Sequence, residues 1–276
     1  DYPGSTPDVS YTYDADDNVK TVDNLNSTRS YEYDENGNLK SEGITIATES
    51  YSLDYGYNNL DYLDTVTYPS GRKVIYINDA FARPTEIVNY IENASYFPGG
   101  QKETITYAND MTTTYTLNDR EWVESIKVDG PFDSGLIDLG YLYDGRGNVE
   151  QILDGLDINT RVMTYDGLDR LETADGMWGN GVFDYDHEDN MTARSIAGNI
   201  DVFIVSDNKM LQLQRNGLAY ITPLYDVYGN QLNTFDHDLL FDDASNMTFA
   251  EKTQGAITPD IFFKYDGNNR RVSRQI

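Results

Sequence analysis

Cysteine is absent from the 276 residues, which excludes disulfides and any zinc site built on thiolates. Histidine is almost absent, with only His187 and His237, and tryptophan is limited to Trp122 and Trp178. Basic residues are few: 20 Lys and Arg stand against 47 Asp and Glu, a formal net charge of −27. A surface that negative repels phosphate backbones and anionic headgroups, so neither a nucleic-acid partner nor peripheral membrane contact is expected. No apolar run approaches the length needed to cross a bilayer, so no membrane span is expected. No nucleophile elbow, phosphate loop or metal-binding histidine pair occurs. Helical periodicity is nearly missing too. The runs between turns are strand formers, such as Thr65–Tyr68, Lys73–Ile77 and Thr112–Thr116.

What the chain has in abundance is tyrosine, 23 residues of it. Tyrosine buries area but keeps a hydroxyl that needs a partner, which suits a partly wet sheet face better than a dry interior. The tyrosines recur in a repeat. Tyr11–Val19 and Tyr31–Leu39 are the same unit, as are Tyr141–Val149, Thr164–Leu171 and Asp184–Met191. Tyr225–Asn230 and Tyr265–Arg270 continue it, and weaker copies start at Tyr57, Asn78, Leu117, Val205 and Phe241. This makes twelve units, mostly 20 to 24 residues apart, with longer gaps of 39 residues after Asn78 and 26 after Leu117.

Each copy reads as strand, turn, strand. Tyr11 and Tyr13, Tyr31 and Tyr33, and Tyr141 and Tyr143 sit two apart, on one face of a strand. The Tyr-Asp pairs Tyr13-Asp14, Tyr33-Asp34, Tyr143-Asp144, Tyr165-Asp166, Tyr185-Asp186, Tyr225-Asp226 and Tyr265-Asp266 open the turns, because Asp bonds its own following backbone. Three residues after the Asp the turn needs a positive φ. Gly37, Gly147, Gly229, Asp17, Asp61, Asp169, Asp189 and Asn269 hold that position in eight of the twelve copies. A type I turn followed by a left-handed residue is a standard hairpin connection. The segment Asp129–Gly135 reads as a long hairpin loop. The expected fold is all-β: tandem hairpins forming a curved, spiralling antiparallel sheet. Residues 1–276 are expected to form one array, a fragment of a longer protein.

The motif Tyr-x-Tyr-Asp-x-x-Gly-Asn/Arg-Leu resembles the YD or RHS repeat family, most plainly at Tyr165–Leu171 and Phe263–Val272. The resemblance covers nearly the whole chain and implies part of a hollow β-shell. Such shells enclose a toxic domain in bacterial RHS proteins and Tc toxins, and serve adhesion in teneurins. It therefore implies a secreted or bacterial cell-surface protein without catalysis. Its partners would be the remainder of the parent shell or further copies, joined through sheet edges, with a toxin cargo or a glycan as ligand. Members that cleave themselves use aspartates in a region after the repeats. No Asp-Pro-x-Gly motif occurs here, so cleavage is not carried over.

Other sites are weighed against plainer roles. Asp-rich turns such as Asp14–Asn18 and Asp34–Asn38 resemble calcium ligands but lack the closing bidentate Glu of an EF-hand loop. Turn chemistry accounts for them, so no cofactor is expected, with calcium the alternative. His187 and His237 lie beside acids, as a general base would, and as surface turn residues do. Trp122 and Trp178 are the candidates for stacking on a sugar ring, although Trp122 fills the Asn/Arg slot of its repeat. The alternatives to an enclosing wall are an extracellular adhesin or carbohydrate-binding wall, and a polysaccharide-acting enzyme on a propeller. A propeller blade of two hairpins predicts a period near forty, whereas the period is near twenty.

Overall fold

The computed structural model describes residues 6–156, 160–252 and 260–275. Among these the secondary structure is β throughout, with no helix, and every paired neighbour is antiparallel. The chain divides into two compact units, residues 1–75 with 223–276, and residues 76–222.

The first unit contains β1 (Ser10–Tyr13), β2 (Val19–Asn24), β3 (Ser27–Tyr33), β4 (Leu39–Ile46), β5 (Glu49–Tyr57) and β6 (Leu63–Thr67). The first half of β7 (Lys73–Asn78) pairs with β6 and closes this run. The second unit begins with the other half of β7 and β8 (Pro84–Ile87), then β9 (Ile91–Tyr96), β10 (Lys102–Tyr107), β11 (Thr112–Leu117) and β12 (Val123–Asp129). It continues through β13 (Ile137–Tyr143), β14 (Val149–Asp154), β15 (Arg161–Tyr165), β16 (Leu171–Gly176) and β17 (Gly179–Tyr185). Its last strands are β18 (Met191–Ile196), β19 (Asn199–Ser206), β20 (Lys209–Arg215) and β21 (Leu218–Ile221). A separate four-stranded sheet returns to the first unit: β22 (His237–Phe241), β23 (Met247–Lys252), β24 (Ile261–Tyr265) and β25 (Arg271–Gln275). Strands β1 to β21 make a 21-stranded meander in which each strand pairs with its predecessor and successor.

The meander follows from the turns. Asp14 N–H donates to Asn18 O at 2.9 Å while Asp17 N–H donates back to Asp14 O at 3.4 Å. The same pair of bonds closes the turns at Asp34, Asn58, Asp79, Asn118, Asp144, Asp166, Asp226, Asp242 and Asp266. All eight positions expected to be left-handed have positive φ, from 58° at Asn269 to 102° at Gly147. The register slips by one residue just inside the turn, between Thr12 and Tyr13, Glu32 and Tyr33, Leu142 and Tyr143, and Lys264 and Tyr265. A bulge recurring at each repeat adds local twist to every hairpin.

The loop after Asp129 joins β12 to β13, as expected. Two readings change. Val205 does not open a five-residue turn: Asp207 and Asn208, with φ of 52° and 55°, make a two-residue hairpin. The 39-residue gap after Asn78 also holds a further repeat. Phe97 N–H donates to Gln101 O at 2.9 Å around Gly100 at φ 93°. Phe97 stands where Asp is usual, so the motif hid the unit. Similar tight turns at Tyr68 and Tyr107 close the opposite edge of the sheet.

Cross-strand register sorts the residues into two faces. One row runs Tyr11, Val22, Arg29, Ile44, and another Tyr55, Val66, Val74. In the second unit one face carries Ala94, Ile105, Thr113, Val128 and, further on, Met163, Ala174, Gly181, Ile196. The opposite face carries cross-strand hydroxyl pairs among exposed apolar residues such as Leu142, Val162 and Val182. Thr12 pairs with Thr21 at 2.6 Å, Thr116 with Ser125 at 2.8 Å and Thr164 with Thr173 at 2.7 Å between side-chain oxygens. Such pairs are the sheet's lateral glue. Fully buried apolar side chains are few and small, among them Val22, Val66, Val74, Ala94 and Ile105.

Alanine occupies the left-handed region at Ala82, with φ 62°. That conformation costs a non-glycine residue about 1–2 kcal/mol, part of which glycine gives back through its looser unfolded state. We expect Ala82→Gly to raise stability by about 0.5–1 kcal/mol and Ala82→Val to lower it, read from urea midpoints.

Candidate functional site

The edge formed by the Tyr-Asp turns is where the chain's recurring chemistry concentrates. Asp144 shows the unit. Its Oδ1 accepts the N–H groups of Arg146, Gly147 and Asn148 at 2.8, 2.8 and 2.9 Å, and its Oδ2 accepts Asn148 Nδ2 at 2.9 Å. Asp14, Asp34, Asp186 and Asp226 bind the matching Asn18, Asn38, Asn190 and Asn230 in the same way. Asp79 and Asp166 use Arg83 and Arg170 instead, at 2.7 and 2.8 Å to Nε. These bonds favour the ionised carboxylate. Hydrogen bonds from Asn148, Arg170, Asn190 and Arg83 hold Asp144, Asp166, Asp186 and Asp79 below the usual carboxylate range. For Asp14, Asp34 and Asp226, partial burial pushes upward and the turn bonds outweigh it, leaving all three lowered.

The tyrosine before the Asp works between repeats. Tyr33 donates its hydroxyl to Val19 O (3.2 Å), Tyr57 to Leu39 O (2.9 Å), Tyr96 to Pro84 O (2.7 Å), and Tyr143 to Val123 O (2.7 Å). Tyr165 reaches Val149 O (2.9 Å) and Tyr265 reaches Met247 O (2.8 Å). Each acceptor is the first residue after the preceding turn. Burial raises the phenol pKa of Tyr33, Tyr57, Tyr143, Tyr165 and Tyr265. Tyr13, in the first described strand, is 57% exposed.

A second link crosses the same boundary. Asn148 Nδ2 donates to Asp169 Oδ1 at 3.0 Å, Arg170 reaches Asp189 at 2.8 Å, and Asn246 reaches Asn269 at 3.1 Å. Asp61 accepts from both Asn36 and Asn38. The left-handed residue of one turn thus accepts from the turn before it, which explains why Asp or Asn often stands where glycine would be less strained. The residue closing the turn also stacks on the next repeat's tyrosine. Arg83 lies 4.5 Å from the Tyr96 ring and Arg170 4.8 Å from Tyr185. Trp122 does the same against Tyr143, with ring centroids 5.2 Å apart. A Cβ at Gly147 would lie 3.0 Å from the Trp122 ring, so this repeat uses glycine at its left-handed position.

Trp178 sits elsewhere, in the turn between β16 and β17. Its Nε1 donates to Ala174 O at 3.1 Å, and the residue is 43% exposed. The two tryptophans are therefore not one platform: Trp122 belongs to the turn edge and Trp178 to another turn. His187 is exposed, 3.7 Å from Glu188, and His237 Nδ1 lies 2.8 Å from Asp236. The motif gave no signal for Asp201. It is buried and gripped by Arg194 at 2.9 Å and Arg215 at 2.7 Å from the flanking strands, which lower its pKa. The sequence around it gives no hint, since its apolar neighbours Ile200, Val202 and Ile204 are the exposed ones.

Tyr165→Phe and Tyr265→Phe each remove one inter-repeat bond, and we expect each to cost about 1 kcal/mol in urea unfolding. The pH profile should fall on both sides. The turn carboxylates have folded pKa values below their unfolded ones, so their contribution is complete above about pH 4 and is lost as pH falls further. The tyrosines are raised, so theirs is complete below about pH 10 and lost as pH rises past it. Thermal midpoints across both limbs, with Asp144→Asn flattening the acid one, check this.

Residues 13–49 match the RHS Repeat family. No curated protein matches the chain in sequence. Among solved structures, TcdB2-TccC3 without its hypervariable C-terminal region superposes with a TM-score of 0.82 at 16% identity, covering 96% of this chain and 17% of that one. TcdB2-TccC3 gives 0.81 at 17% identity, covering 98% and 17%. The Photorhabdus luminescens Tc holotoxin pore gives 0.78 at 18% identity, covering 94% and 16%. The chain spans 17% of the first of these in length. The chain thus carries an RHS Repeat over residues 13–49, repeats the same Tyr-Asp turn chemistry to its last described hairpin, and shares the fold of these Tc toxin structures.

Proposed function

We propose that the chain is a wall segment of an RHS-type toxin shell, secreted or displayed at a bacterial surface, whose role is enclosure rather than catalysis. The observation that carries this reading is the inter-repeat bonding. Tyrosine hydroxyls, turn amides and stacked cations are consumed in tying each hairpin to its neighbour. The fold shared with Tc toxin structures supports the same assignment. We further propose that residues 1–276 act as a single array within a longer polypeptide, joined to the rest of a shell through sheet edges. The Tyr-bearing face, wet and amphipathic, suits weak contact with an enclosed polypeptide. The −27 charge keeps the assembly soluble. No cation is needed for the turns, because backbone and Asn or Arg donors engage both oxygens of carboxylates such as Asp144 and Asp166.

A glycan-binding wall is the second reading, favoured by the exposed ring of Trp178. In the parent polypeptide, the shell reading expects a cargo sequence to resist protease until the wall is unfolded. Immediate digestion of that sequence under native conditions would overturn it. Glycan-array binding that is lost in Trp178→Ala would favour the second reading instead. Chelation with EDTA, or added calcium, should leave the thermal midpoint unchanged, and a clear calcium-dependent rise would overturn the cation-free account of the turns.

A further inference from the structure

In the first unit the turn between β24 and β25 lies against β2 and β3, and it is held by side chains rather than strand pairing. Asn24 and Asn26 both donate Nδ2 to Tyr265 O, at 3.1 and 3.0 Å. Arg29 pairs through Nε with Asp266 Oδ2. Asn268 Nδ2 donates to the Tyr31 hydroxyl at 2.8 Å. Arg29 to Asp266 and Tyr31 to Asn268 are each 237 residues apart, and so is Thr6, which accepts Asp243 N–H at 2.7 Å. Three of these contacts share one separation, while the Asn24 and Asn26 bonds to Tyr265 O span 241 and 239 residues.

Asp266 differs from the other turn aspartates here. Asp79 and Asp166 give their Oδ2 to the arginine four residues on, within their own turn. Asp266 also has an arginine four residues on, Arg270, which supplies its backbone N–H to Oδ1. Its Oδ2 goes to Arg29 instead, and Asp266 becomes the most buried large side chain of the described residues. Gly267 is constrained as well. A Cβ there would lie 2.6 Å from Val22 Cγ1 and 2.8 Å from Val9 Cγ1. Gly145 and Gly167 occupy the same place in their own turns and have open space around them.

We propose that Asn24, Asn26, Arg29 and Tyr31, with Val9 and Val22 as the floor, form a recognition site for a hairpin turn of sequence Tyr-Asp-Gly-Asn. The site fixes which hairpin stacks on the first repeats. Its four polar groups read one carbonyl, one carboxylate and one amide, and its floor admits only glycine between them. The sequence Tyr-Asp-Gly-Asn occurs once in the chain, at 265–268. The adjacent turn, Phe241–Ala244, would bring Asp243 against the valines and offer Ala244 where Asn268 donates. A slip by one repeat is therefore penalised twice, by a clash at Asp243 and by loss of the amide that donates to the Tyr31 hydroxyl.

Hydrogen exchange on the full chain tests it. Arg29→Gln and Gly267→Ala should each lower protection of the β24 and β25 amides at least about tenfold, the scale of a lost charge-assisted bond. Amides of β15 to β18 should be unaffected, showing that the chain remains folded. Tyr31→Phe should give a smaller loss at the same amides, and Gly167→Ala none. Unchanged protection of β24 and β25 in Gly267→Ala and Arg29→Gln overturns the proposal. So does an equal loss in Gly167→Ala, or a loss in Tyr31→Phe spread over the whole chain.

Discussion

The bond on which the rest depends is that from a turn aspartate to the backbone N–H groups two and four residues later. It fixes the type I conformation, delivers the next residue into the left-handed region and places the closing Asn or Arg against the free carboxylate oxygen. Once that is set, the tyrosine just before the Asp has one direction in which to point, and its hydroxyl lands on the carbonyl that leaves the previous turn. Where Asn replaces the Asp, as at Asn58 and Asn118, its amide oxygen accepts the same two N–H groups and sets the same frame. The small apolar core agrees with this. Valines and alanines fill the sheet's covered face, while tyrosine hydroxyls and turn amides carry the specificity.

Much of this was legible because the repeat is local. Tyr at two-residue spacing, Asp next and Gly, Asp or Asn three further on carry their own stereochemistry, and all eight left-handed positions fell where φ is positive. The reading failed where another residue does the same job by other means. Phe97 opens a turn without a carboxylate, relying on Pro98 and on Gly99-Gly100, so the motif did not register it. Val205 has a respectable Asp and Asn behind it, but two adjacent left-handed residues shorten that turn to two.

What lay beyond reach was anything between repeats. The closing slot read as Asn or Arg from composition, yet its work is done on the following turn: a hydrogen bond to Asp169 or Asn269, a cation over Tyr96 or Tyr185, an indole over Tyr143. Trp122 looked like an exception to the pattern and is a third way of meeting the same demand. Arg29 carried no signal, being an ordinary strand residue whose partner lies 237 positions away. Asp201 was hidden likewise, since its two arginines come from neighbouring strands and the apolar alternation along β19 points away from it.

The tyrosine bond has a direction. In each of the six tyrosine-to-carbonyl bonds described above, the hydroxyl reaches back to the hairpin before it, while closing residues such as Asn148, Arg170 and Asn246 reach on to the next turn. Each repeat therefore has a donor side and an acceptor side that differ, as the subunits of a head-to-tail filament do. Such a lattice has polarity: a repeat flanked by matching junctions can be lost or gained without breaking the grammar, whereas a hairpin inserted in reverse order finds no counterpart on either flank. Length variation among arrays of this kind is then cheap, and inversion is forbidden.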